Sequence, residues 1–151
     1  MSGTATAADG GPLDLSIVVP AYRSADCLDA LAGAIASALW PSGWAYELIL
    51  VNDGSPDRTW TTIERLCADD CRVVGVDLRR NFGQDNAILT GLRAARGRLI
   101  AVMDDDLQHD PTDLPALLAH LEQPGPDGIP PDVVFADFRW KRQAAWKNLG
   151  S

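Results

Sequence analysis

Arg98-Leu99-Ile100-Ala101-Val102-Met103-Asp104-Asp105-Asp106-Leu107-Gln108-His109 is an apolar run that ends in three carboxylates, a carboxamide and an imidazole. The run reads as a buried strand, which places the acids at its C-terminal end. Three adjacent acids repel one another and cost desolvation when buried. A cation relieves both penalties, and oxygen ligands from Asp and Gln suit Mg²⁺ or Mn²⁺. An ion held by so few protein groups keeps open positions that phosphate oxygens commonly fill. The stretch points to a metal-assisted site for a phosphorylated substrate. A plainer reading competes with it: an Asp-rich loop that only leads into a helix, since Asp110-Pro111 and Thr112-Asp113 look like helix-start residues.

Working outward, strands and helices alternate with short links. Strands are expected at Leu15–Val19, where Pro20 ends the run, and at Tyr46–Val51, Arg72–Leu78, Arg98–Met103 and Asp132–Ala136. Helices are expected over Ala25–Leu39, Asp57–Asp70, Asp85–Ala95 and Thr112–Leu121. Leu28, Leu31, Ala32, Ile35 and Leu39 form the inward side of the first, and Trp60, Ile63, Leu66 and Cys67 that of the second. Ile88, Leu89 and Leu92 do so in the third, and a Pro/Gly loop fills Pro124–Pro131. The alternation predicts an α/β fold with a parallel sheet covered by helices on both faces. Ligands of such sheets bind beyond the C-terminal strand ends, where the strand order switches. That rim collects Pro20-Ala21-Tyr22, Asp53 and Asp104 to Gln108.

The bulk numbers exclude several classes. A formal charge of -8 over 151 residues disfavours nucleic acid or an anionic membrane as partner of this portion. No apolar run approaches the roughly 20 residues of a membrane helix. Met1 to Asp14 is small and polar, with no signal-peptide pattern, and is expected to be a disordered tail. Cys27, Cys67 and Cys71 read as reduced thiols of a cytosolic protein, although Cys67 and Cys71 can approach near a helix end.

Each rim residue has two readings. Tyr22 can stack on a nucleobase or be an ordinary loop aromatic. Asp53 can accept from a base or a ribose hydroxyl, or serve only the Asp53-Gly54-Ser55-Pro56 turn. His109 can touch substrate or be solvated, and His120 is expected on a helix surface. Arg139, Lys141 and Arg142 can neutralise phosphates or form a solvated basic tail. A dinucleotide-binding oxidoreductase needs Gly-x-Gly-x-x-Gly after the first strand. Here that turn is Pro20-Ala21-Tyr22-Arg23-Ser24, without glycine, and no Gly-x-x-x-x-Gly-Lys loop is present. A bound diphosphate then needs a metal, which the acids can hold.

The motifs Ser16-Ile17-Val18-Val19-Pro20-Ala21-Tyr22, Leu50-Val51-Asn52-Asp53-Gly54-Ser55-Pro56-Asp57, Arg80-Asn81-Phe82-Gly83, Ala94-Ala95-Arg96-Gly97 and Met103 to Pro111 resemble the family-2 inverting glycosyltransferases of GT-A fold. Within these they are similar to the polyprenyl-phosphate sugar transferases, the dolichol-phosphate mannose synthase-like branch. The resemblance runs from Leu15 to Ser151. It implies a GT-A-type, Rossmann-like, mainly parallel sheet whose C-terminal part is missing, residues 15–151 being the donor part. It implies that Pro20 and Tyr22 line the nucleobase pocket and that Asp53 reads the base. Ser24 stands where relatives place an acid or small polar residue that contacts substrate. Asp104 and Asp105 are implied beside the ribose and diphosphate. Asp104, Asp106 and Gln108 are implied as ligands of Mg²⁺ or Mn²⁺, with Asp106 the catalytic residue among them. Arg139 resembles a phosphate-binding residue.

The implied reaction moves a sugar from a nucleoside-diphosphate sugar, uridine favoured over guanosine, to a polyprenyl phosphate, with inversion. The implied location is cytoplasmic, at the inner membrane face in a full-length form, with membrane contact only through segments beyond Ser151. Two other readings stay open: a non-catalytic sugar-nucleotide-binding module, and a family-2 transferase with a soluble saccharide acceptor. Phe135, Phe138, Trp140 and Trp146 are expected to be poorly buried, which invites self-association.

Overall fold

The computed structural model describes residues 12–108 and 110–136. The chain divides into two compact units after Thr112. The first holds β1 (Leu15–Ala21), α1 (Leu28–Leu39), β2 (Tyr46–Asn52), α2 (Thr59–Asp69), β3 (Val73–Asp77), α3 (Gln84–Ala94) and β4 (Leu99–Val102). The four strands form one sheet in the order β3-β2-β1-β4, every pair parallel.

Every residue of β1 and β2 is buried. This is why both read as mainly apolar runs, with Ser16 and Glu47 the polar exceptions near their starts: a strand covered on two faces has little side to leave polar. Successive residues face opposite layers. Val18, Ile49 and Val51 pack with Ala87 of α3. A Cβ on Gly75 would instead meet Ile63, Cys67 and Trp60 of α2, so α2 lies on the other face. Right-handed crossovers explain the layers. The chain moves outward from β1 to β3 through α1 and α2, then returns across β1 to β4 through α3. The reversal puts the switch point between β1 and β4.

Several expectations are corrected. The strand read as buried before the acids, β4, leaves Ile100 and Val102 exposed, so it is covered less fully than β1 and β2. Pro20 does not end β1 but pairs with Val51 inside it. The Ala21 carbonyl accepts from Asp53 N–H toward β2, whereas the Val18 carbonyl accepts from Met103 N–H toward β4. Pro20 shares Val18's side, where the β4 ladder has already stopped, so its missing N–H breaks no pairing. The inward side of α3 is Ala87 and Gly91, not Leu89 and Leu92, which are exposed. A Cβ on Gly91 would lie 2.4 Å from Val18 Cγ1, so the helix sits too close to the sheet for larger residues. Pro12–Asp14, expected in the tail, are tied in: Leu13 and Asp14 carbonyls accept from Arg98 and Leu99 N–H. Residues 1–11 lie outside the described residues.

In the second unit, α4 (Leu114–Glu122) buries Leu114 and Leu118, one turn apart. The expected strand over 132–136 is absent: Val133 and Phe135 are exposed and pair with nothing in the sheet. No helix among the described residues is long and apolar enough to cross a membrane.

Candidate functional site

The C-terminal ends of the strands open into a cleft of about 400 Å³ lined by Pro20, Ala21, Tyr22, Asp53, Asn81, Gly83, Gln84 and Asp104 to Asp106. The rim residues expected from sequence at the ends of β1, β2 and β4 thus meet in one place. Gln108 is exposed on the same acid loop, and Ser24 is buried behind the lining. His109 and Arg139, with Phe138, Trp140, Lys141, Arg142 and Trp146, lie outside the described residues.

Tyr22 lines the cleft and is 44% exposed, with the Arg23 guanidinium 5.5 Å from its ring centroid. An exposed aromatic at a cleft wall can take a base against its face. Asp53 is only 3% exposed. Its Oδ1 accepts from Phe82 N–H at 2.7 Å and its Oδ2 from Gly83 N–H at 3.0 Å. The side chain therefore builds the Asn81–Gly83 wall, and a carboxylate still has lone pairs for a ligand N–H. The two loops also touch directly, since a Cβ on Gly54 (φ +61°) would lie 2.3 Å from the Arg80 carbonyl carbon. From sequence, Asn81 to Gln84 read as a turn and Arg80 to Gly83 as one motif of the resemblance, with no role in the site given to either. The glycine itself was the available signal, since Gly83 sits at φ +91°.

The three acids are anchored in three directions. Asp104 Oδ1 accepts from Gln84 Nε2 at 3.0 Å, across the cleft at the start of α3. Asp105 Oδ2 accepts from Tyr22 N–H at 3.3 Å and from the Ser24 hydroxyl. Asp106 Oδ1 accepts from Gln108 N–H at 3.0 Å, around Leu107 at φ 58°. Among the described residues no three acids, histidines or cysteines already stand as a metal cage. Mg²⁺ commonly uses one or two carboxylates and completes its shell with phosphate and water. An open set of hard oxygens beside a cleft fits an ion that arrives with a diphosphate. The Cys27 thiol, behind this loop, is pushed up by burial and by Asp105, so it stays protonated. All three cysteines are free.

A second charged cluster, missed in the sequence, closes the opposite end of the sheet. Glu47 is 2% exposed. Its Oε1 accepts from Ser16 Oγ at 2.6 Å and Arg96 N–H at 2.8 Å, and its Oε2 from the Arg96 guanidinium at 2.6 Å. Ser16 Oγ also accepts from Gly97 N–H at 2.7 Å. The signal was a lone acid in an apolar strand.

Comparison with known proteins places this geometry. The family described as Glycosyl transferase family 2 matches residues 16–146. A dodecaprenyl-phosphate galacturonate synthase of Rhizobium johnstonii is 42% identical over 114 residues, 74% of this chain and 33% of that protein. An undecaprenyl-phosphate 4-deoxy-4-formamido-L-arabinose transferase of Pseudomonas paraeruginosa is 37% identical over 142 residues, 93% of this chain and 40% of that one. The fold resembles a mannosyltransferase of Pyrobaculum calidifontis solved with GDP-Man and Mn²⁺, with TM-score 0.64, 23% identity, and 73% of this chain and 32% of that one covered. The chain thus spans between a third and two fifths of the curated relatives it matches.

Proposed function

This chain belongs to glycosyl transferase family 2, and from that premise we propose that it forms the donor side of a transferase moving a sugar from a nucleoside diphosphate to a polyprenyl phosphate. One observation carries the reading: the β1, β2 and β4 loops bring an aromatic, a backbone-fixing acid and an acid triplet to one cleft at the switch point. The two relatives, both prenyl-phosphate sugar transferases by name, support the acceptor class.

In this reading Pro20 and Tyr22 hold the base, and Asp53 both shapes its pocket and accepts from its ring N–H. Asp104 and Asp106, with Gln108, hold Mg²⁺ or Mn²⁺, and Asp104 faces the ribose and diphosphate. The pairing of GDP-Man with Mn²⁺ in the Pyrobaculum protein agrees with a metal beside the nucleotide. A phosphate role for Arg139 rests on its resemblance to a phosphate-binding residue of the family alone. A bound divalent cation supplies charge stabilisation to the departing diphosphate. The acceptor phosphate is already ionised at neutral pH, so no dedicated base is required of this chain. Attack opposite the leaving group inverts the anomeric centre without a covalent enzyme intermediate. The uridine preference rests on resemblance to bacterial lipid-linked transferases.

Calorimetry with the 151-residue chain tests this. UDP is expected to bind with Mn²⁺ and to be lost with EDTA. Tight binding indifferent to EDTA refutes the metal role, and equal or tighter GDP binding refutes the uridine preference. Absence of any nucleoside-diphosphate binding refutes the donor reading as a whole.

A further inference from the structure

We propose that Asp105 is a positioning residue: it latches the acid loop onto the β1 loop through Ser24 and the Tyr22 amide, leaving Asp104 and Asp106 to serve the cleft. The proposal rests on the donor-site reading above and divides the labour among its three acids.

Three adjacent carboxylates repel, and a flexible loop relieves that repulsion by spreading them apart. A metal ion needs the opposite, two of them held on one side. Asp105 has the fixed partners to do this. Its Oδ2 takes two donors from the β1 loop, Tyr22 N–H and the Ser24 hydroxyl. Neither donor carries a charge, so the bond consumes lone pairs without neutralising the cluster.

The other end of the latch is firmly seated. Ser24 is 4% exposed, and its N–H donates to Thr59 Oγ1 at 2.8 Å. The Thr59 hydroxyl donates in turn to Asp57 Oδ1 at 2.6 Å, at the start of α2. Between the latched residues, Arg23 is at φ 56° and its N–H donates to Ser55 Oγ at 3.1 Å. The chain Asp57–Thr59–Ser24–Asp105 thus runs from α2 through the β1 loop to the acid loop. Asp104 and Asp106 bond elsewhere, to the Gln84 side chain and the Gln108 amide. Ser24 then serves the site without touching substrate.

The latch and a direct ligand role separate by charge. In Asp105→Asn the amide oxygen still accepts both donors, while the charge is gone. Asp105→Ala removes both bonds of the latch, and Ser24→Ala removes the hydroxyl bond. With UDP and Mn²⁺ in calorimetry, Asp105→Asn is expected within about twofold of the parent chain, and the two alanine variants about tenfold weaker. The double alanine variant is expected to be no weaker than Asp105→Ala, since Asp105→Ala already removes the Ser24 bond. An Asp105→Asn as weak as Asp105→Ala, with Ser24→Ala unchanged, overturns the proposal in favour of direct metal or ribose contact. Amide exchange tests the latch without any ligand. Tyr22 N–H is expected to exchange about tenfold faster in Asp105→Ala and at the parent rate in Asp105→Asn. An unchanged Tyr22 rate in Asp105→Ala overturns it. A parent chain that binds neither UDP nor GDP refutes the donor reading, while the Tyr22 rates still decide whether the latch exists.

Discussion

At the N-terminal end of the sheet, Glu47 has 2% exposure and both oxygens taken by Ser16 and Arg96. At the C-terminal end, Asp104 and Asp105 are half-buried, Asp106 is exposed, and all three line an open cleft. The same chemical group is saturated at one end and, in the exposed Asp106, left with capacity at the other. Saturation converts a carboxylate into a fastener, here for the turn between α3 and β4. Spare lone pairs facing water convert it into a receptor for cations and donors.

Substitutions can break this contrast. The largest effect is expected for Arg96→Ala, which leaves Glu47 buried without its guanidinium. Loss of the guanidinium from this buried carboxylate costs about 2.5 kcal/mol, less than for a pair buried on both sides, because the Arg96 side chain is itself 51% exposed and Ser16 and the backbone amide of residue 96 remain. Urea unfolding measures it, and nucleotide affinity of the folded chain should be unchanged. A loss below about 1 kcal/mol would remove the fastener role. Next is Gly91→Ala, whose Cβ meets Val18 at 2.4 Å, for about 2 kcal/mol of overpacking. Gly33→Ala is its control: nothing lies within 4 Å of the new Cβ, and the helix should gain up to about 1 kcal/mol.

The rim should behave in reverse. Asp106→Asn is expected to weaken Mn²⁺ and UDP together by about tenfold, or 1.4 kcal/mol, with unfolding unchanged within about 0.5 kcal/mol. If stability falls and binding does not, the two ends are alike after all. The smallest effect is acid sensitivity. The Thr59 hydroxyl holds Asp57 below the usual carboxylate range at the rim, and the Arg72 guanidinium does so for Asp70 at the other end. A lowered folded pKa gives stability that is complete above the unfolded value and lost as pH falls through the folded one. The melting temperature should therefore be flat near neutrality and decline below about pH 4. Asp70→Asn should flatten that decline more than Asp57→Asn, because the ion pair is less exposed.

How much of this the sequence shows depends on how local each cause is. β1 and β2 are legible because burial on two faces writes itself as the apolar runs Leu15 to Val19 and Tyr46 to Val51. The acid loop is legible because three carboxylates after an apolar strand have few other reasons to be there. Pro20 misleads because its effect depends on which side of β1 still has a partner. Leu89 and Leu92 mislead because helical spacing cannot tell that Val18 crowds the axis and admits only Ala87 and Gly91. Residues 132–136 mislead because a β-branched run becomes a strand only when an edge accepts it. Asp53 is half legible: its place on the rim follows from the motif, but its grip on Phe82 and Gly83 joins residues about thirty apart.

The strand order also has a kinetic meaning. Links within the β1-β2-β3 part join residues 31 and 25 apart, as in Ser16–Glu47 and Asn52–Asp77. Docking β4 closes 80 residues between Ser16 and Arg96. The added loop-closure entropy is below about 1 kcal/mol, yet it falls on the short edge strand with only four ladder residues. The three-stranded part with α1 and α2 is therefore expected to form first on refolding, and the edge strand to join it last. Pulse-labelled amide exchange should show β2 protected before β4; simultaneous protection would reject the order. The half of the cleft that carries the acids is the part of the protein assembled at the end.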